Sequence, residues 1–295
     1  MIFVVNCIVN LKKAKATLAC LCICGICVAL MPTANSIMTA AGVAKSNGIR
    51  LPILMYHHVL DKSRSLNKYT VSPDEFESDL KYINEQGYTT VVVADLINFC
   101  EKGTILPEKP IMITFDDGYE SVFHFACPLL KKYEMKAVIN IIGKYADLYS
   151  ECDDHNIRYS HITWQQLKQA VDENVLEVQN HTYDMHKNGK RNGIGKMRGE
   201  STEHYANAVG KDISELQERV KEKLGFYPTA FAYPFGTISK EALPVLKNIG
   251  FKAVFCCWEK VNYLTGEREE LYHLNRFNRP HGKTTAEFFK NIENG

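Results

Sequence analysis

Two aspartates stand side by side in the sequence ITFDDGYES, directly after a run of β-forming residues. Asp116-Asp117 followed by Gly118 is a common turn signal, and acidic pairs are usually only solvated. The alternative is that the two carboxylates belong to a chemical site. That alternative requires partner residues elsewhere in the chain, and structural elements that bring those partners together.

Candidate partners occur in the sequence NHTYDMH, which contains two histidines, His181 and His186, five residues apart. This spacing separates two side chains by about 140° on a helix and puts them on opposite faces of a strand, so they converge only if the residues between them form a loop. Such a pair is more often structural than metal-binding. With a carboxylate at the end of a neighbouring strand, however, it makes the two-histidine, one-carboxylate set of hydrolytic zinc sites.

Short β-rich runs alternate with helical patterns from residue 51 onward. The helical segments carry capping signals, such as Ser72 with Glu75 and Thr163 with Gln166. The β-rich runs are mostly apolar, as a parallel sheet covered on both faces requires. They are LPILMY (51–56), TTVVVA (89–94), PIMITF (110–115), AVINII (137–142), VLEVQN (175–180), TAFAYP (229–234), AVFCC (253–257) and LYHLNRF (271–277).

Seven or eight such units predict an α/β fold, namely a (β/α) barrel that is complete or somewhat distorted. No predicted strand is followed by a Gly-rich phosphate loop, which argues against a nucleotide-binding fold. Two stretches, 143–162 and 187–203, are predicted to be irregular. In a barrel the chemistry lies at the carboxyl ends of the strands. The residues that follow the predicted strands are His57 and His58, Asp116 and Asp117, His181, Phe235, and Trp258.

The charge balance and the N-terminus bear on the protein's partners and location. The 295 residues include 35 Lys+Arg and 34 Asp+Glu, which argues against a dedicated nucleic-acid binder. Within residues 1–44, three lysines precede an apolar segment, 17–31, in the pattern of a signal peptide or an N-terminal membrane anchor. We therefore expect an exported protein, secreted or at the cell surface, that touches the membrane only through this segment. Residues 45–295 are expected to form the functional domain.

Cysteine usage adds little to the functional prediction. Four cysteines lie inside the apolar N-terminal segment, where they are interpreted as small hydrophobic residues and not as a metal cluster. Five more follow residue 44, an odd number without a CxxC pair. This count supports neither a disulfide scaffold nor a structural zinc module, although it allows one disulfide.

Four motifs, taken together and in order, resemble those of the polysaccharide deacetylases, carbohydrate esterase family 4. They are PILMYHHV, TFDDGY, HTYDMH and FAYPFG, and the resemblance covers roughly residues 50–280. It implies a metal-dependent hydrolase that removes N-acetyl groups from N-acetylglucosamine-type polysaccharide, either peptidoglycan or poly-N-acetylglucosamine, and releases acetate. The near alternative is an O-acetyl (xylan-type) carbohydrate esterase. An alternative from a different functional class is a glycan-binding protein whose catalytic site is degenerate.

The same resemblance assigns different roles to the two aspartates. It makes Asp116 the catalytic base, and it makes Asp117, His181 and His186 the ligands of a divalent metal, most often zinc. Adjacent carboxylates normally raise each other's pKa, but the charge of a metal at Asp117 would offset this and keep both ionised. The five-residue spacing of the histidines is similar to the branch of the family that contains the poly-N-acetylglucosamine deacetylases.

The third motif, FAYPFG, is implied to supply a backbone N–H that holds the reaction's oxyanion, around Tyr233, Pro234 and Phe235. This motif departs from the common family pattern, because Ala232 stands where an arginine usually pairs with the catalytic base. Arg276, in LNRFNRP, is the candidate substitute, and the alternative is that it is an ordinary surface arginine.

The general acid of the family is also not in its usual sequence context. His57, at the end of the first strand, is the candidate that would protonate the leaving amine, and His273 is a weaker choice. Trp258 follows the seventh β-rich run. It is interpreted either as a wall of the sugar or metal pocket or as a core residue.

Overall fold

The computed structural model describes residues 48–61 and 66–294. The segment predicted to direct export, residues 1–44, lies outside the described residues, so that prediction stays open. Among the helices of the described ranges, none is both long enough and apolar enough to cross a membrane. All five cysteines of these ranges are free thiols.

Twelve short strands occur in the described residues, and most of them are nearly fully buried. They are β1 (Ile49–Leu51), β2 (Ile53–Tyr56), β3 (His58–Val59), β4 (Thr70–Val71), β5 (Thr89–Thr90), β6 (Pro110–Phe115), β7 (Ala137–Ile141), β8 (Leu176–Asn180), β9 (Ala230–Ala232), β10 (Ala253–Phe255), β11 (Asn262–Leu264) and β12 (Phe277–Asn278).

In the described part of the chain, eight α-helices flank the strands. They are α1 (Pro73–Glu85), α2 (Val93–Lys102), α3 (Cys127–Lys132), α4 (Gly143–Glu151), α5 (Trp164–Asp172), α6 (Thr202–Leu224), α7 (Ala242–Ile249) and α8 (Thr285–Asn294). The predicted capping boxes are present at Ser72 with Glu75 and at Thr163 with Gln166. Helix α6 ends at Gly225, which adopts a left-handed conformation with φ 90°.

The main sheet is parallel throughout and runs in the order β10-β9-β8-β7-β6-β2-β12, with β5 pairing with β6. It is covered on both faces. On β6, Ile113 packs in a cluster with Phe76 of α1, whereas its neighbour Met112 packs with Val138 and Ala253 from other strands. This arrangement confirms the predicted α/β fold, a distorted (β/α) barrel built on seven main strands.

One short segment, residues 274–278, connects the two edges of the curled sheet. At its start, Leu274 donates to the carbonyl of Val254 and accepts the N–H of Cys256, which places it beside β10. At its end, β12 pairs with β2. The segment therefore bridges the two edge strands, and Arg276 within it is fully buried.

Three predicted elements differ from the structure. The run 89–94 forms a strand only at β5, because α2 already begins at Val93: the carboxylate of Glu177 accepts the N–H groups of Val93 and Ala94 and so caps the helix from another strand. The stretch 143–162 is not wholly irregular, since α4 occupies its first half. The run 271–277 begins in a 3₁₀ helix, Arg268–His273, and forms a strand only at its end.

A fully buried ion pair connects the C-terminal part of the described chain to α1. Asp79 of α1 accepts two hydrogen bonds from the guanidinium of Arg279, at 2.7 and 3.1 Å, and both side chains are inaccessible to solvent. Tyr56 and Thr285 donate to the same carboxylate. The network therefore joins β2, α1 and the start of α8.

We expect Asp79→Asn to lower the free energy of unfolding by about 3–5 kcal/mol, because the buried guanidinium of Arg279 loses its counter-charge. Urea unfolding followed by circular dichroism measures this difference. Glu85→Gln, at an exposed position of the same helix, is the matched control and should change the free energy by less than about 0.5 kcal/mol. An effect of Asp79→Asn as small as that of the control would contradict the structural role of the pair.

Candidate active site

The two aspartates lie in a sharp turn at the carboxyl end of β6. Asp117 has φ 68° and Gly118 has φ 77°, so two consecutive residues adopt the left-handed region. A Cβ at position 118 would also be a tight contact, 3.1 Å from the Ile141 side chain. The turn directs both Asp116 and Asp117 into the same cavity. The predicted turn is therefore present, and its geometry is compatible with a site at the two carboxylates.

Three potential metal ligands converge in this cavity. One oxygen of Asp117 lies 3.5 Å from Nε2 of His181 and 3.3 Å from Nε2 of His186. The ligand atoms of the three residues all fall within 4.8 Å of one another. Nδ1 of His181 lies 2.8 Å from the carbonyl oxygen of Ala232, which fixes the ring with Nε2 toward Asp117. The residues between the histidines form a loop, as their convergence requires.

The chemistry of this donor set fits a divalent metal ion. Oδ1 of Asp117 is buried and has no hydrogen-bond partner among the described residues. Burial opposes its ionisation, but the interaction with His181 and the charges of the nearby histidines lower the pKa of Asp117 to about 2. Burial lowers the pKa of His186 to about 4, so that its ring is neutral and able to bind a metal. Two imidazoles and one carboxylate leave further coordination positions open.

Asp116 is held by a different set of partners. Arg276 donates to its two oxygens at 2.7 and 2.8 Å, and the side chain of Arg276 is fully buried. The interpretation of Arg276 as a surface residue is therefore wrong. Burial alone would raise the pKa of Asp116, but the charge and hydrogen bonds of Arg276 hold it well below its usual value. The carboxylate is therefore ionised at any pH near neutrality.

Asn140 is a partner of Asp116 that the sequence did not suggest. Its Nδ2 donates to Oδ1 of Asp116 at 2.7 Å from the neighbouring strand β7. Asn140 is fully buried within the otherwise apolar run AVINII. An amide inside such a run is the one signal that could have identified it, because buried polar side chains need hydrogen-bond partners.

A cavity of about 600 Å³ surrounds these groups at the carboxyl end of the barrel. His57 lines it, and Nδ1 of this residue is buried without a partner in the described part of the chain. Burial lowers the pKa of His57, although the charges of Asp117 and Asp116 oppose this shift. His273, the weaker candidate for the general acid, is exposed and does not line the cavity.

The third motif supplies one free backbone donor beside the cavity. The N–H of Tyr233 bonds to the carbonyl of Phe255, at 3.3 Å, and Pro234 has no N–H. That leaves Phe235, whose N–H has no partner within residues 48–61 and 66–294. Phe235 has φ 57°, and its ring centroid lies 4.2 Å from that of His186. Trp258 lies outside the cavity lining and is 59% exposed, so it is not a core residue.

Two exposed aromatic residues at the rim were not predicted from the sequence. Tyr69 and Tyr159 both line the cavity, and each is nearly half exposed. Tyr159 belongs to a loop that is held by Glu120, a fully buried side chain that accepts hydrogen bonds from Ser160, at 2.6 Å, and Gln166, at 2.8 Å. Aromatic side chains at the mouth of a polar cavity give flat apolar surfaces next to its hydrogen-bonding groups.

Comparison with known proteins shows which family the chain is similar to. A family model described as polysaccharide deacetylase matches residues 104–254. The chain is 27% identical over 203 residues to the poly-β-1,6-N-acetyl-D-glucosamine N-deacetylase of Staphylococcus aureus (strain MRSA252), and this match covers 69% of the chain and 66% of the relative. It is 24% identical over 221 residues to the Escherichia coli (strain K12) protein of the same name, covering 68% of the chain but only 33% of that relative.

A solved structure is similar as well. It is that of IcaB from Ammonifex degensii, with a TM-score of 0.66 and 27% sequence identity over 80% of this chain and 94% of that one. The chain thus matches most of this structure, about two thirds of the staphylococcal relative and a third of the Escherichia coli relative.

Proposed function

Because this chain belongs to the polysaccharide deacetylase family, we propose that it is a metal-dependent hydrolase that removes N-acetyl groups from N-acetylglucosamine polysaccharide and releases acetate. One observation carries the proposal. A buried, ionised carboxylate, Asp116, lies next to the cluster of Asp117, His181 and His186 in a single cavity. A base beside a two-histidine, one-carboxylate set is the arrangement that amide hydrolysis by an activated water requires.

Asp116 is proposed to accept the proton of the attacking water. Its low pKa keeps it ionised, and Arg276 and Asn140 fix its orientation. A divalent metal bound by Asp117 and the two histidines, with zinc as the proposed ion, would supply positive charge that polarises the acetamide carbonyl and acidifies the water. The attack places negative charge on the carbonyl oxygen, and the N–H of Phe235 is the proposed backbone donor to it.

His57 is proposed to protonate the amine that leaves the tetrahedral intermediate. It lines the same cavity, and its Nδ1 has no partner in the described part of the chain. The step requires the protonated ring. Burial lowers the pKa of His57, whereas the charges of Asp117 and Asp116 favour the protonated form. Expulsion of the amine then leaves acetate and a free glucosamine unit in the polymer.

The proposed substrate is poly-β-1,6-N-acetylglucosamine, since the relatives from both organisms are named for it. Peptidoglycan is the alternative polysaccharide substrate. A second alternative is that the enzyme hydrolyses O-acetyl esters of xylan type, and a third is that the protein binds glycans without catalysis. We also infer that the enzyme is exported by the segment 1–44, acts at the cell surface or beyond, and touches the membrane only through that segment. Trp258 is retained only as a candidate for contact with the polymer outside the cavity.

A panel of glycans tests this proposal. Acetate release should be measured from poly-N-acetylglucosamine oligomers, from N-acetylated peptidoglycan and from acetylxylan, with the same zinc-loaded protein. We expect the fastest release from the poly-N-acetylglucosamine oligomers. Faster release from acetylxylan would favour the esterase, and binding of the oligomers without acetate release from any glycan would favour the binding protein.

Removal of Arg276 should impair the base. In Arg276→Met the Asp116 carboxylate stays buried without its counter-charge, a state that costs about 3–5 kcal/mol and that protonation relieves. We therefore expect kcat/KM to fall by at least about 100-fold at neutral pH, with the acid limb of the pH profile moved to higher pH. Arg276→Lys is the matched control: it keeps the charge but loses the two-point contact, and its loss should be smaller. An unchanged pH profile in Arg276→Met would contradict this role.

A further inference from the structure

The segment between the two candidate metal ligands is backbone-strained. We call residues 182–185 the ligand turn, because they connect His181 to His186. Thr182 has φ 75°, and a β-branched residue is rarely found in this region because its side chain crowds the backbone. Such a conformation persists only when the surroundings impose it. The contacts that impose it therefore determine where the two histidines lie relative to each other.

One carboxylate holds the ligand turn from the side of helix α6. Oδ1 of Asp212 accepts the N–H of Tyr183 and Oδ2 accepts the N–H of Asp184, both at 2.9 Å. Two hydrogen bonds from consecutive peptide groups to one carboxylate fix the orientation of both peptides. Asp212 lies within the α6 helix, well away from its ends, so this anchor is itself attached to a rigid element.

The N-terminus of helix α4 holds the same turn from the other side. The N–H groups of Gly143 and Lys144 donate to the carbonyls of Thr182 and Tyr183, at 3.1 and 2.9 Å. The contact is close, since a Cβ on Gly143 would lie 2.7 Å from the Tyr183 ring and equally close to the Leu216 side chain of α6. The backbone of the ligand turn is thus bound on both sides by rigid helices.

We propose that Asp212 is a positioning residue that sets the metal affinity of the site, by holding the ligand turn in the conformation that brings His181 and His186 together at Asp117. The inference rests on the proposed metal site and deepens it. It also explains how histidines five residues apart converge: the intervening backbone is folded back and its N–H groups are bound by a carboxylate more than 25 residues further along the chain.

Asp212→Asn tests the proposal with zinc as the probe. The amide has the same shape, but its nitrogen faces one of the two backbone N–H donors, so one of the two hydrogen bonds is lost. We expect the dissociation constant for zinc, measured by competition with a chromogenic chelator, to rise at least about tenfold. The visible spectrum of the cobalt-loaded protein, which reports ligand geometry, should change as well.

A control variant distinguishes the loss of the hydrogen bonds of Asp212 from the loss of one negative charge on helix α6. Glu215→Gln removes the same charge from the same helix at a site that pairs only weakly with Arg219, at 3.4 Å. It should leave zinc affinity and the cobalt spectrum unchanged. If Glu215→Gln weakens zinc binding as much as Asp212→Asn does, the effect is one of charge and the proposal is overturned.

A second variant keeps the inference testable if Asp212→Asn does not fold. Gly143→Ala pushes on Tyr183 from the other side and should also weaken zinc binding, whereas Gly189→Ala, whose Cβ would meet no atom within 4 Å, should not. Failure of the wild-type protein to bind zinc would refute the proposed metal site itself. If the wild type binds zinc and the folded variants bind it with the same affinity, only the role of Asp212 and the ligand turn is refuted. A fall in the melting temperatures of the variants would not change that conclusion.

Discussion

Asp116→Asn is expected to lower kcat by about 100- to 10,000-fold while the protein still binds zinc. The amide cannot accept the proton of the attacking water, but the proposed metal ligands are Asp117, His181 and His186 and do not include Asp116. Steady-state acetate release gives kcat, and elemental analysis of the purified variant gives its zinc content. This combination of lost turnover and retained metal is specific to a base that is not a ligand.

Two outcomes would contradict this assignment of Asp116. Full activity would show that another group accepts the proton. Loss of zinc together with activity would show that Asp116 is itself a ligand, or that the site has collapsed. Because the variant leaves Arg276 buried without its counter-charge, its melting temperature should be measured alongside.

His181→Ala is expected to have the opposite pattern, in which activity is lost because the metal is lost. The ring of His181 is buried and held by the carbonyl of Ala232, and an alanine in its place offers no ligand atom. We expect the dissociation constant for zinc to rise by more than about 100-fold, beyond the effect typical of residues that only support a ligand. Acetate release at limiting zinc should fall below detection.

His204→Ala is the matched control for this substitution. His204 is exposed on α6 and lies outside the cavity lining, so its removal should leave zinc affinity unchanged. Retention of zinc by His181→Ala at wild-type affinity would show that the cluster at Asp117 is not a metal site.

The strand ends were predictable from the sequence because their signals are local. Apolar runs such as PIMITF mark buried parallel strands, and in such a fold the residues after the strands share one end of the barrel. This reasoning brought Asp116 and Asp117 together with His181, and the structure places all three in one cavity. Periodicity alone did not decide whether the two histidines are structural or metal ligands, and their predicted role as ligands came from the motif resemblance.

The partners of Asp116 were harder to predict because they depend on how the barrel closes. Arg276 lies 160 residues further along the chain, in the segment that bridges the edge strands. No local pattern separates such an arginine from a surface one. Asn140 reaches Asp116 only because β6 and β7 are neighbours in the sheet. Both contacts are set by strand order, which a single sequence does not encode in any short window.

The early end of β5 also depends on a contact from a distant part of the chain. The valines of TTVVVA favour a strand by propensity, but α2 begins at Val93 because Glu177 caps its first N–H groups.

The backbone donor of the third motif also could not be predicted from a short stretch of sequence. Its sequence indicated Tyr233, Pro234 and Phe235 alike, and only the sheet hydrogen bond of Tyr233 singles out the N–H of Phe235.

The most direct test of the central claim is acetate release from poly-β-1,6-N-acetylglucosamine oligomers by the same protein preparation before chelation, after removal of metal, and after zinc is restored. A metal-dependent deacetylase with its site at Asp116, Asp117, His181 and His186 should release acetate, stop when the metal is removed, and recover when zinc is returned. Acetate release that persists at the same rate in the metal-free protein, or no release from the oligomers by the zinc-loaded protein, would contradict this account.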